Sequence, residues 1–195
     1  MEAFLVSSGI VALAEIGDKT QLLSLLLAAR FRRPWPIILG IFVATVVNHA
    51  LAGAVGAWVN AQLGPDLMRW ILGLSFIAMA AWIMIPDKLD DDEADTSALR
   101  FGVFGATVVA FFLAEMGDKT QIATVALAAR YDALAAVVMG TTFGMMLANV
   151  PAVLLGEVAA KKLPVRVVHA VAALLFAGLG LFTLFGTAPD WLGLG

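Results

Sequence analysis

The 195-residue sequence contains no cysteine and only two histidines, His49 and His169. The missing cysteine excludes disulfides, thiolate nucleophiles and soft-metal thiolate sites. Charge is scarce too: Asp, Glu, Lys and Arg make up 14% of the chain, where a soluble domain carries about a quarter. Polar stripes of helical period, which a water-soluble bundle needs, are largely absent. The opening Met1-Glu2-Ala3-Phe4 lacks the basic region of a signal peptide, so the first apolar stretch is expected to stay in the mature protein.

What the chain has instead is apolar length. Hydrophobic residues make up 62% of it, and a membrane-spanning helix needs about 20 mostly apolar residues. Six stretches qualify, at 4–28, 36–59, 67–86, 101–128, 133–156 and 167–188. The expectation is an all-α integral membrane protein with six transmembrane helices and no separate soluble domain. Basic residues in the short loops set the orientation. Arg30, Arg32, Arg33, Lys88, Arg100, Lys161, Lys162 and Arg166 fall on one side, and only Arg69 and Arg130 on the other. The first group is expected in the cytoplasm, with both termini outside. Trp35, Trp58, Trp70, Trp82 and Trp191 lie mostly near predicted helix ends, as interface anchors do.

The chain also contains itself twice. Residues 14–21, Ala-Glu-Ile-Gly-Asp-Lys-Thr-Gln, return as 114–121, Ala-Glu-Met-Gly-Asp-Lys-Thr-Gln, at an offset of 100. Ala28-Ala29-Arg30 returns as Ala128-Ala129-Arg130, Gly40 returns as Gly140, and Asn48 has a near counterpart in Asn149. Internal duplication accounts for this. Each copy holds three predicted helices, an odd number, so the second must enter the bilayer from the opposite side. That predicts two inverted repeats, an arrangement of many secondary transporters. The expected division is 1–86 for the first repeat, 87–100 for an acidic cytoplasmic linker and 101–195 for the second repeat.

The few charges inside the predicted spans are concentrated in the repeated string. Each ionised residue at bilayer depth costs about 2.5–3.5 kcal/mol on insertion scales, and such residues commonly line an ion or proton path. On a continuous helix Glu15, Asp18 and Gln21 share a face, as do Glu115, Asp118 and Gln121. Gly17 and Gly117, between the acids, permit either close helix approach or local unwinding. Brought together by an inverted repeat, the four carboxylates of Glu15, Asp18, Glu115 and Asp118 form a cluster that Lys19 and Lys119 balance in part. Two negative charges remain, enough for one divalent cation or two protons, which suggests exchange. Lys19 is placed to pair with Glu15 or across the repeat. The donors are oxygens, which suit Ca²⁺, Mn²⁺ and Mg²⁺. Asn48 and Asn149, at similar depth, and Thr20 and Thr120, after the motif, are further candidate ligands. His49 and His169 fall outside the motifs and read as packed or interfacial residues. Gly140 and Gly144 read as a helix-packing pair, Glu157 and Lys161 as a surface ion pair, and the acidic run 90–95 as solvated linker.

The two hexapeptides, Glu15-Ile16-Gly17-Asp18-Lys19-Thr20 and Glu115-Met116-Gly117-Asp118-Lys119-Thr120, resemble the signature of a cation/proton exchanger family. That family includes the Golgi calcium/manganese transporter and bacterial manganese exporters. The resemblance extends over nearly the whole chain in size, helix count and acidic central loop. It implies that Glu15, Asp18, Glu115 and Asp118 are cation ligands, that Mn²⁺ or Ca²⁺ is exchanged for H⁺, and that no prosthetic group is required. For a short bacterium-like chain it implies manganese export across the inner membrane. The residues by themselves leave other readings open. These are a proton-coupled exporter of another substrate such as a basic amino acid, a passive channel, and a structural ion-pair network. A di-aspartate intramembrane protease is a remote fourth: Asp18 and Asp118 follow glycines, but Glu15 and Glu115 stand where its Gly-x-Gly-Asp string needs glycine, and the one Tyr-Asp pair, Tyr131-Asp132, is in a predicted loop. The expected partners are the metal ion, protons and lipid, with no nucleic acid, and homo-oligomer formation is left open.

Overall fold

The structure, a computed structural model, describes residues 1–85, 102–155 and 165–186. The acidic segment 87–100, the Glu157–Lys161 pair, Lys162 and Trp191 lie outside the described residues. All regular structure among the described residues is helical: α1 (Glu2–Glu15), α2 (Lys19–Phe31), α3 (Pro34–Gln62), α4 (Pro65–Trp82), α5 (Gly102–Glu115), α6 (Lys119–Arg130), α7 (Leu134–Leu155) and α8 (Val165–Phe185). Three of these, α3, α7 and α8, are individually long and apolar enough to cross a membrane, and α5 is a shorter apolar helix. Leu39, Phe42, Val47, Leu51 and Val55 are exposed along α3, as are Leu174, Leu181 and Phe185 along α8. Apolar surface this continuous calls for a bilayer around it.

Helices α3, α4, α7 and α8 correspond to four of the six apolar stretches. The other two, 4–28 and 101–128, are not the single continuous helices their composition suggests. Each is divided in two at its acidic hexapeptide. The glycines are the cause: Gly17 has φ +84° and Gly117 φ +77°, a left-handed conformation that costs a residue with a Cβ about 1–2 kcal/mol. A Cβ at position 17 would also lie 2.4 Å from Val165 Cγ1 of α8, whereas one at 117 would meet nothing within 4 Å. The resulting half-helices have 14 residues or fewer, about 20 Å, too short to cross a hydrocarbon core of about 30 Å alone. Elsewhere the punctuation is ordinary. Pro34 and Pro65 open α3 and α4, where a missing N–H costs nothing. Arg32, with φ 52°, closes α2, its N–H donating to Ala28 O at 3.0 Å.

Two apolar cores lie on either side of the broken segments. One joins α1, α4, α6 and α8 through Ile10, Phe76, Leu127 and Phe176. The other joins α2, α3, α5 and α7 through Leu27, Ile41, Phe111 and Val153. The segment before the break in one copy therefore shares a core with the segment after the break in the other. The tight contacts are exchanged in the same way. Gly40 of α3 receives Phe104 and Thr107 of α5, and Gly140 of α7 receives Phe4 and Ser7 of α1. All these residues correspond at the offset of 100. Gly144 adds a close approach to Ser8 and Ala12, so Gly140 and Gly144 do serve helix packing. Helices α4 and α8 pack on each other, with the Phe76 and Phe176 rings 6.2 Å apart and the Gly73–Gly180 contact beside them.

Candidate metal centre

Each break is built the same way. Helix α1 ends at Glu15, and Asp18 precedes α2 as its N-cap residue; Glu115 and Asp118 take the same places around α5 and α6. Asp18 N–H donates to Glu15 O at 3.1 Å, and Asp118 N–H to Glu115 O at 3.2 Å. The glycine N–H groups are taken up by the glutamines: Gly17 donates to Gln21 Oε1 at 2.9 Å and Gly117 to Gln121 Oε1 at 2.8 Å. The breaks interrupt the helical register that would have placed Glu15, Asp18 and Gln21 on one face. Glu15 and Glu115 instead end half-helices, whose C-termini carry the negative end of the helix dipole and so favour a cation.

The threonines orient the glutamates. Thr20 Oγ1 donates to Glu15 Oε2, and Thr120 Oγ1 donates to Glu115 Oε2 at 3.1 Å. All four groups are buried. The glutamines tie each break to a helix of the other copy. Gln21 Nε2 donates to Ala148 O of α7 at 3.2 Å, and Gln121 Nε2 donates to Asn48 Oδ1 of α3 at 2.7 Å. Asn48 in turn donates to Phe112 O at 3.1 Å. Asn149 accepts from Ser24 Oγ at 2.7 Å and donates to Met145 O at 3.1 Å. The candidate amide ligands are thus engaged within the protein, holding the broken segments in register.

Three of the four motif acids come together. One carboxylate oxygen each from Glu15, Glu115 and Asp118 lies within 4.8 Å of the others, and all three residues are buried. Asp18 does not join this triad. Its Oδ1 stands 3.9 Å from Lys119 Nζ, an ion pair formed across the repeat, and Lys119 also donates to Ile85 O at 2.8 Å. Lys119 is buried and Lys19 partly exposed, so the two lysines are not equivalent.

Both histidines are buried, as packed residues are, and each lies beside a break. His49 is fully buried on α3, its Nε2 3.7 Å from Glu115 Oε2, so the cluster is not lined by oxygen alone. His169 of α8 donates through Nε2 to Ile16 O at 2.7 Å, capping a carbonyl that the first break sets free. The signal for His49 was available in the register. With Gly40 and Gly140 equivalent, position 149 matches 49, not 48, so the counterpart of Asn149 is a histidine and that of Asn48 is Ala148.

An all-helical membrane protein with a buried carboxylate triad between two interrupted helices has the makings of a cation carrier. The comparison with known proteins gives the family. The profile of the divalent cation/proton antiporter GDT1 family matches residues 3–91 and again 103–191, and the chain belongs to that family. A relative in Vibrio cholerae, named "Putative manganese exporter", is 54% identical over 186 residues, covering 95% of this chain and 92% of its own. A GDT1-like protein of Synechocystis is 28% identical over 193 residues, covering 90% and 93%. GDT1-like protein 3 of Oryza sativa is 27% identical over 210 residues, covering 94% and 74%. No solved structure matches significantly. Membership of a transporter family closes the intramembrane-protease alternative: the protein is not an enzyme.

Proposed function

We propose that this antiporter exports Mn²⁺ from the cytoplasm in exchange for protons, with Ca²⁺ as the next candidate cargo, and that Glu15, Glu115 and Asp118 hold the cation. The observation that carries the reading is the triad itself, three buried carboxylates within 4.8 Å of one another. Three like charges so close in a poorly hydrated layer need a positive partner. A divalent metal and protons are the two partners the family exchanges, and they compete for the same oxygens. Asp18, neutralised by Lys119 across the repeat, links the two breaks and stands ready as a fourth ligand. Thr20 and Thr120 fix the glutamates, and Gln21, Gln121, Asn48 and Asn149 fix the backbone around them.

Six spans in two inverted repeats, 1–86 and 101–195 with the linker 87–100 between, fit the exchanged contacts of Gly40 and Gly140 and the pairing of α1 with α6 and α2 with α5. Transport then requires the triad to open to each face in turn. The excess of basic residues puts the face of α2 and α5 in the cytoplasm, in a bacterial inner membrane, with both termini outside. The Vibrio relative's name favours manganese and export. Reconstituted in vesicles, the protein is expected to take up Mn²⁺ when a pH gradient of the correct sign is imposed, and to carry protons the other way. Metal flux that ignores the gradient, with no counterflow of protons, would contradict the exchange.

A further inference from the structure

We infer that His49 is a nitrogen ligand of the transported cation and the residue that biases the site toward Mn²⁺ over Ca²⁺. The inference rests on the proposed carboxylate site and adds a donor of different chemistry to it. His49 is fully buried, and neither Nδ1 nor Nε2 has a hydrogen-bond partner among the described residues. A buried polar ring left in that state calls for a partner. Among the carboxylates beside it is Glu115, whose Oε2 is 3.7 Å from Nε2, longer than a hydrogen bond. Two ligands each about 2.0–2.6 Å from a shared cation lie at most about 5 Å apart, so the separation suits two donors on one ion.

The backbone beneath His49 is fixed. Asn48, its neighbour on α3, is held by Gln121 on one side and by Phe112 O on the other. The equivalent position in the second copy makes the contrast. Asn149 has its hydrogen bonds to Ser24 and Met145 inside the protein, whereas both ring nitrogens of His49 are without a hydrogen bond among the described residues. Calcium is a hard ion that takes oxygen ligands. Imidazole suits first-row transition metals, and replacing an oxygen by nitrogen shifts selectivity in their favour.

Electron spin echo spectroscopy of Mn²⁺ bound to the wild-type protein is expected to show coupling to an imidazole nitrogen. That coupling should change when histidine alone is ¹⁵N-labelled, survive in His169→Asn and vanish in His49→Asn. In vesicles, His49→Asn should lower the preference for Mn²⁺ over Ca²⁺ at least tenfold, through the KM for Mn²⁺. Bound Mn²⁺ with no nitrogen coupling, or an unchanged preference in His49→Asn, overturns the inference and leaves the carboxylate site standing. A wild-type protein that binds no Mn²⁺ overturns the carboxylate site and this inference together.

Discussion

Glu15→Gln and Glu115→Gln are each expected to reduce Mn²⁺ uptake to the background of empty vesicles while leaving the fold intact. Glutamine keeps the shape of the side chain and an oxygen for the threonine hydroxyl, but removes one of three charges packed within 4.8 Å. Relieving that repulsion should not cost stability, so the loss is one of cargo binding. Its size should exceed the roughly 10–100-fold that a group supporting a metal ligand is worth. Thr20→Val provides the scale. It deletes only the hydroxyl that donates to Glu15, and is expected to fall within that 10–100-fold range. Metal-dependent uptake and equilibrium Mn²⁺ binding, measured on the same preparations, check the ranking. Glutamine variants that transport as well as Thr20→Val would remove the glutamates from the site.

The second large effect concerns stability. Lys119 is buried, and its Nζ lies 3.9 Å from Asp18 and 2.8 Å from Ile85 O. Lys119→Met leaves the Asp18 carboxylate in the interior without that cation. Breaking a buried pair from one side typically costs about 3–5 kcal/mol. Removing both charges is far milder, so Asp18→Asn combined with Lys119→Met should recover much of the loss. Thermal unfolding in detergent of the two single variants and the double variant closes the cycle. Additive losses, with the double variant the least stable, would show that the pair is not coupled. Lys19, partly exposed, should tolerate the same change better, a difference that the near-identical motifs do not announce.

That difference marks where sequence reasoning ends. The duplication and its acids were legible because an offset of 100 repeats Glu15 through Gln21 almost letter for letter, and the long apolar helices α3, α7 and α8 because hydropathy marks them. The breaks were only half legible. Glycine permits the left-handed turn at 17 and 117, but apolar sequence resumes on the far side of each motif, so each stretch reads as one span. Reading them as continuous helices put Asp18 on the face of Glu15, whereas at the start of α2 it turns toward Lys119. Pairings between copies, such as Gln121 with Asn48 or Lys119 with Asp18, depend on how α6 packs against α3 and against the first break, and leave no trace in local pattern. His49 was set aside because it lies outside the motif. Its importance comes from burial beside Glu115, which only the packing of α3 against α5 and α6 determines.

Anomalous scattering from crystals soaked in Mn²⁺ tests the carboxylate site most directly. The account predicts a single strong peak about 2.0–2.6 Å from carboxylate oxygens of Glu15, Glu115 and Asp118, lost in Glu15→Gln. A peak away from all three acids, with the triad empty at saturating metal, would contradict it.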